Sequence, residues 1–432
     1  MTATVKLWGR VIGAVQWDVD REIGVFEYDP QFARSGIEIC PITMPLREGL
    51  YQFPQLRGSF SNLPGLVADS LPDKFGNRLI DAWLASQGRQ PNSMNPVERL
   101  CYIGRRAMGA LEFEPTTGPG AEQDVTLDVA ELTNLANKVL SERESLAGLL
   151  NHGPQDAAAL QHILRVGTSA GGARAKALLL WNRETGEFRS GQLNAAEGFE
   201  HWLLKFDGVS NNRDREVADP LGYGRLEFAY YLMAREAGIE MTQCRLHEEG
   251  GRAHFMTRRF DRTDKGKKIH MLSLGALCHY DYNDPSSYSY EQAMQAIRQI
   301  SAHPVKDAEQ QLLRTAFNVV SRNQDDHVKN IAFLMDPQGR WRLSPAFDIS
   351  YAWNPDGSFT SRHQMSVNGK RDDFSRGDLM ALGSAGGVKP VRARKLINDV
   401  LVSVRRWMDF AKLAGVDQER AESVKFAHRL SI

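Results

Sequence analysis

Asp325, Asp326, His327, Lys329 and Asn330 fall in one short polar loop, inside the segment RNQDDHVKNIAFLMDPQGRWRLSPAFDIS that runs from Arg322 to Ser350. No other part of the chain sets so many ionisable side chains between apolar runs. The amphipathic run Ala308 to Val320 leads into it and IAFLM follows, a pattern that predicts helix, loop and strand. Asp336-Pro337-Gln338-Gly339 is a turn signal, and WRLSPAFDIS beyond it predicts a returning strand that ends at Asp348. Such a hairpin would carry Asp348 back beside the loop that holds Asp325 and Asn330.

Two carboxylates and an amide converging in this way suit Mg²⁺, a hard cation that takes a few protein oxygens and completes its shell with phosphate and water. The spacing of five between Asp325 and Asn330 also matches a kinase catalytic loop. There the Asp accepts the substrate hydroxyl proton and the Asn holds metal. Asp348 would be the second metal-binding carboxylate. A solvated loop joining a helix to a hairpin has the same composition, so these three residues by themselves leave both readings open. His327 reads as an architectural hydrogen-bonding residue, and Asp326 as a solvated neighbour of the site.

The elements that must position these residues belong to a chain of 432 residues, long enough for two or three domains. Hydrophobic content of 42% and charged content of 25% are those of a soluble globular protein. Lys plus Arg and Asp plus Glu both number 53, and the formal charge of zero argues against a dedicated nucleic-acid coat. Cys40, Cys101, Cys244 and Cys278 show no paired spacing, which suits a reducing cytoplasm and neither a zinc site nor a disulfide framework. The opening MTATVKLWGRVIGAVQWD is a broken apolar run, read as a strand pair and not a signal peptide. No window approaches the roughly 18 uninterrupted apolar residues of a membrane span.

Taken in order, Val5 to Tyr28 predicts short strands turning near Gly9-Arg10. A helix then starts at Leu71-Pro72-Asp73, with Leu79, Ile80, Trp83 and Leu84 on one face. VERLCYIGRRAMGALEFEP predicts a short helix, a Gly-marked turn and a returning strand. PTTGPGAEQD has no periodic apolar face and is the best linker candidate. Helical character returns from Val129 to Leu150. RVGTSAGGARAKALLLW follows, a Gly/Ser loop leading into a strand, whose backbone N–H groups could approach a phosphate closely. An ordinary turn would read the same way. Lys205 ends the strand of EHWLLKFDG and is either a snorkelling edge residue or a phosphate-binding charge. Glu227, near the start of the helix Gly224 to Gly238, is its candidate partner; the helix macrodipole favours a Glu there in any case. GGRAHFMTRRFD predicts a hairpin and a strand, an extended connection able to meet an adenine edge through its backbone at Arg258, Arg259 and Phe260. Beyond Tyr290 the pattern is mostly helical, with one long helix, VRARKLINDVLVSVRRWMDFAKLAG, ending at Gly415. Ser361 to Gly383, with its Asn368-Gly369 turn and Lys370-Arg371, reads as a solvated hairpin followed by a helix.

DDHVKN, PAFDIS, VGTSAGGARAK, LLKF and RRFDR, together with LVADSLPDKFGN and IGRRAMGALEF near the start, strongly resemble the HipA family of bacterial toxin kinases over nearly the whole chain. The HRD and DFG wording of ordinary protein kinases is absent. The resemblance implies an α+β, two-lobed protein-kinase-like core, β-rich in its N-lobe and mostly helical in its C-lobe, behind a small β-rich N-terminal domain. The corresponding bounds are 1–114 for the N-terminal subdomain, 115–128 for a linker, 129–261 for the N-lobe and 262–432 for the C-lobe. It further implies ATP and Mg²⁺ as cofactors, with Asp325 as catalytic base and Asn330 and Asp348 as Mg²⁺ ligands. The implied nucleotide-binding set is Ser169, Ala170, Gly171, Lys176, Lys205, Arg258, Phe260, His327 and Lys329, joined by the two metal ligands. Some family members carry an acidic residue where this chain has Arg258, which leaves backbone contacts to adenine.

The resemblance also implies a small helix-turn-helix antitoxin as partner and operator DNA bound mainly through it. The substrate it implies is a protein, such as an aminoacyl-tRNA synthetase. Two other classes of function use the same residues: a catalytically weak co-repressor holding an antitoxin on DNA, and a metal-dependent phosphoesterase built on Asp325, Asp326 and His327. Ser169 falls on the loop serine that the family autophosphorylates, where a phosphate adds roughly −1.5 to −2 charge beside the ATP phosphates. Ser169→Asp is therefore expected to lower both ATP affinity and kinase rate, and a variant that matches the parent in nucleotide titration and turnover would exclude such a self-limiting switch.

Overall fold

The computed structural model describes residues 1–118, 126–141, 163–164, 166–167, 174–191, 197–209 and 221–432. They divide into two compact units: Met1–Leu221 with His247–Met271, and Gly222–Leu246 with Leu272–Ile432. Ser169, Ala170 and Gly171 lie outside the described residues, as do 119–125 of the linker and the end of the helix expected up to Leu150.

The first unit holds two antiparallel sheets. One has the order β4-β3-β2-β1-β5, from β1 (Thr2–Leu7), β2 (Arg10–Asp18), β3 (Ile23–Tyr28), β4 (Leu50–Tyr51) and β5 (Leu111–Glu114). Ala3, Val5 and Leu7 alternate inward along β1, the period of a half-buried strand. The hairpin turn is Trp8-Gly9, both at positive φ (50° and 79°) with Leu7 opposite Arg10, so the tight turn fits the twist of its strands. The helix Lys74–Ser86 follows, its N-terminus closed by Asp73, whose Oδ1 accepts from the Gly76 N–H at 2.6 Å. Leu79, Ile80 and Leu84 are buried on one face as their spacing predicts.

The second sheet has the order β7-β6-β8-β10-β9, from β6 (Lys176–Asn182), β7 (Phe188–Ser190), β8 (Phe199–Lys205), β9 (Cys244–Glu249) and β10 (Arg252–Arg258). Ala177, Leu179 and Trp181 of β6 and Trp202 and Leu204 of β8 share one face and one core. Phe75 and Leu79 join them there, with Leu132 and Leu135 of the helix Val129–Ser141. The opposite face carries Lys176 and Lys205. Beyond β10, Asp261 is wholly buried and accepts from the Arg259 and Arg262 guanidinium groups at 2.6–2.9 Å and from the Gly109 N–H at 2.7 Å.

The second unit is mostly helical. Its central helix, Pro304–Ser321, packs against the helices Tyr290–Ile300, Arg376–Ala385 and Pro390–Arg405. It ends at Arg322 in the left-handed conformation (φ 61°), the turn that delivers the chain into the Asp325 loop. The hairpin that follows pairs β12 (Ala332–Met335) with β13 (Trp341–Leu343), and β11 (His270–Ser273) completes a three-stranded sheet. Among the described residues no helix is long and apolar enough to cross a membrane.

Two expected elements differ from the sequence reading. The returning strand stops at Leu343 and does not reach Asp348. Pro345 has no N–H for a ladder, and the Ser344 carbonyl is taken by Arg314 at 2.6 Å. The long C-terminal helix breaks at Arg406 into Pro390–Arg405 and Trp407–Ala414, capped by Gly415 at φ 69°. The break turns Trp407 inward, where its Nε1–H donates to the Ala421 carbonyl at 2.8 Å and its ring meets Tyr230 edge-on.

Asp261→Asn should cost about 3–5 kcal/mol, because it leaves two buried guanidinium groups without their shared carboxylate. Denaturant unfolding of the full chain would check it, against Asp264→Asn, whose parent carboxylate is 90% exposed, as a near-silent control.

Candidate active site

The end of the helix Pro304–Ser321 and the start of β12 hold the polar loop from both sides. Asn330 closes it: its Nδ2 donates to the Asp325 carbonyl at 2.7 Å, so its Oδ1 is the atom a cation would take. His327 caps the short 3-10 turn Val328–Asn330, its Nδ1 accepting from the Lys329 N–H at 3.3 Å. Its Nε2 lies 3.7 Å from Asp325 Oδ1, and its ring rests against Tyr282 at 5.4 Å. The Lys329 ammonium sits over the same Tyr282 ring at 5.3 Å. The Asp325 side chain is 47% exposed, as a group that must meet an incoming hydroxyl would be.

Asn330 and Asp348 line one small cleft together with Asp326, His327, Asn318, Asn323 and Arg314. Asp348 adopts φ 52°, a left-handed backbone position that Asp tolerates better than most residues. The irregular run after Leu343 thus does what the expected strand was meant to do, bringing Asp348 to the loop. Both donors are hard oxygens, which fits Mg²⁺. Among the described residues no three His, Cys, Asp or Glu side chains cluster to hold a metal. A cation held by Asn330 and Asp348 would draw only part of its shell from these two side chains, as Mg²⁺ on a nucleotide does.

Asp326 overturns the expectation of a solvated neighbour. It is 4% exposed, and its carboxylate accepts from the Tyr290 hydroxyl at 2.7 Å, His363 Nδ1 at 2.7 Å and the Gln364 N–H at 2.8 Å. The Tyr290 hydroxyl in turn accepts from Asn318, and Asn318 from Asn323. Burial pushes the Asp326 carboxyl up, but the His363 charge and the hydrogen bonds from His363, Tyr290 and Gln364 outweigh it and hold the group below its ordinary range. The segment from Ser361 is correspondingly not a solvated hairpin: His363, Gln364, Met365 and Val367 are buried, while Arg362 and the turn Asn368-Gly369-Lys370 stand in solvent. Sequence reasoning missed Tyr290, His363 and Gln364 because nothing local marks a pairing across more than thirty residues.

In the first unit, Lys176 and Lys205 are direct cross-strand partners on β6 and β8, so both side chains leave the same face of the sheet. The Lys205 ammonium lies 5.7 Å from the Phe255 ring, and the Lys176 ammonium 3.5 Å from Asp73 Oδ2. Like charges directly opposite repel, and the Asp73 carboxylate offsets the Lys176 charge; both lysines are buried, at 3% and 6% exposed. His201 shares that face, and burial, with the charges of Arg259 and Arg262, pushes it down to about 3, so it is neutral. Arg258 pairs with Glu200 at 3.3 Å and Asp264 at 3.0 Å, which commits its guanidinium to carboxylates, while Phe260 is half-buried. Lys205 belongs to the first unit and Glu227 to the second.

Residues 168–408 match the HipA-like C-terminal domain, and residues 3–114 match the HipA N-terminal domain. The chain belongs to the HipA family. Y4mE of Sinorhizobium fredii, named as a candidate kinase, is 24% identical over 368 residues, 81% of this chain and 77% of that one. The fold is that of HipA from Shewanella oneidensis, solved with HipB and its operator DNA. That match has a TM-score of 0.68 at 18% identity and covers 98% of this chain and 94% of that one. The proinflammatory kinase CtkA of Helicobacter pylori overlaps 52% of this chain and 90% of its own at 11% identity, with a TM-score of 0.34.

The lowered Asp326 carboxyl has a pH consequence. Its contribution to stability is present above the ordinary carboxyl value of about 3.9 and is lost as pH falls through the lower folded value. Asp326→Asn should flatten the acid fall of the unfolding free energy below about pH 4 by up to about 1.4 kcal/mol per pH unit; denaturant unfolding across pH 2–7 would check it.

Proposed function

We propose that this HipA-family protein is an ATP- and Mg²⁺-dependent serine/threonine protein kinase, the toxin of a type II toxin–antitoxin module. The observation that carries this reading is the arrangement of Asp325, Asn330 and Asp348. The half-exposed Asp325 carboxylate opens a loop that the Asn330 amide closes, and Asn330 and Asp348 line one cleft. The cross-strand lysines Lys176 and Lys205 supply the phosphate-binding charge.

Bound Mg²⁺ would neutralise the charge on the transferring phosphoryl oxygens. Asn330 Oδ1 and the Asp348 carboxylate would hold that ion. Asp325 accepts the proton of the attacking hydroxyl and orients it in line with the phosphoryl group. His327 and Lys329, packed on Tyr282, keep the loop in shape around Asp325. Ser169 of the Gly/Ser loop is the proposed autophosphorylation site. The proposed substrate class is a translation component such as an aminoacyl-tRNA synthetase.

A helix-turn-helix antitoxin and operator DNA are proposed as partners on the likeness to the Shewanella HipA, whose structure is of a complex with HipB and its operator DNA. The formal charge of zero assigns most of the DNA contact to the antitoxin.

Asp325→Gln should reduce phosphate transfer by about 10²–10⁴-fold, the usual worth of a positioned general base, with fold and ATP binding retained. Transfer of label from [γ-³²P]ATP, set beside binding of a fluorescent ATP analogue, checks both. A variant that still labels protein at the parent rate would remove Asp325 from that role.

A further inference from the structure

The catalytic loop is anchored on both sides of Asp325. On one side Asn330 takes the Asp325 carbonyl at 2.7 Å. On the other, Asp326 is locked by three donors from two distant segments, Tyr290 at the head of one helix and His363 with Gln364 in the run before Arg371. Those segments are themselves fixed. Tyr290 is held by Asn318 at 3.0 Å, and the His363 carbonyl accepts from Arg371 Nε at 2.5 Å. Planar peptides and the 3.8 Å spacing of neighbouring Cα atoms mean that a fixed Asp326 leaves the Asp325 backbone little freedom. The carboxylate of Asp325 is open to solvent while the chain beneath it is held by these hydrogen bonds.

We propose that Asp326 is a positioning residue for phosphotransfer, holding Asp325 at its working geometry through the hydrogen bonds it accepts from His363 and Tyr290. This rests on Asp325 being the base. A carboxylate is the group the position requires. Oδ2 accepts from two donors and Oδ1 from a third, whereas an amide would turn an N–H towards at least one of them. A packing role alone would be met as well by an apolar side chain, because removing a buried charge altogether is often neutral or stabilising.

The test compares His363→Leu, which removes the donor, with His363→Asn, whose Nδ2–H takes the place of the imidazole Nδ1–H, and with Tyr290→Phe. Label transfer from [γ-³²P]ATP into the chain and into proteins of a bacterial lysate is followed well below the lowest Tm of the set, with KM for ATP measured alongside. A misplacement on the order of 1 Å costs about 10²-fold in rate. His363→Leu is therefore expected to lose roughly that much in kcat, with KM for ATP within about twofold. His363→Asn should recover most of the loss, and Tyr290→Phe should fall between.

Variants that lose only Tm and keep kcat would overturn the proposal, as would equal rates for His363→Asn and His363→Leu. Should His363→Leu fail to fold, Tyr290→Phe, which deletes one donor and no packing, decides by the same kcat and KM comparison. A parent chain without any transfer would instead overturn the kinase reading, and this inference with it.

Discussion

One buried carboxylate ties the Asp325 loop of this protein to the rest of its helical unit. Asp326 accepts hydrogen bonds from Tyr290, His363 and Gln364, residues 36, 37 and 38 positions away in the chain. A carboxylate taken out of water without partners would neutralise itself or unfold its surroundings. With three donors it stays charged, and the donors cannot move without leaving it exposed to that cost. The end of the central helix, the head of the helix at Tyr290 and the run through His363 are thereby locked to one loop. The residue beside it, Asp325, is free to face solvent.

The first unit solves a related problem with the opposite sign. Lys176 and Lys205 stand directly across from each other on adjacent strands, because the register of β6 and β8 puts them there and the period of two sends both side chains to one face. The other face buries Leu179, Trp181, Trp202 and Leu204, so a slip of one residue would bury the lysines in the core. Asp73, at the start of a helix in the N-terminal part of the chain, sits 3.5 Å from Lys176. The N-terminal part is therefore joined to the lysine-bearing sheet by charge as well as by the packing of Phe75 and Leu79. The buried Asp261 adds a third connection through Gly109.

Much of this was legible in the chain. The Asp325-to-Asn330 spacing, the alternation of β1 to β3, the Asp73 helix start and the strand ending at Lys205 all depend on neighbours within a few residues, where period and capping chemistry act. The motifs DDHVKN and PAFDIS, with the Gly/Ser loop and LLKF, carried the HipA resemblance that the family matches bear out. Where local pattern met a distant competitor, it misled. WRLSPAFDIS has strand composition, yet Pro345 and the Arg314 side chain end the ladder early. The apolar period from Pro390 to Gly415 is nearly continuous, yet the helix breaks at Arg406 and Trp407 turns inward to the Ala421 carbonyl and Tyr230.

The sequence by itself determined the family, the identity of the chemical groups and the order of the elements that carry them, because each is written in spacing over a handful of residues. Only the tertiary structure decided which carboxylate is open and which is locked. Asp325 and Asp326 are adjacent and chemically identical. Their fates separate because the donors that bury one of them come from helices and turns folded in from far along the chain, and no local pattern records that meeting.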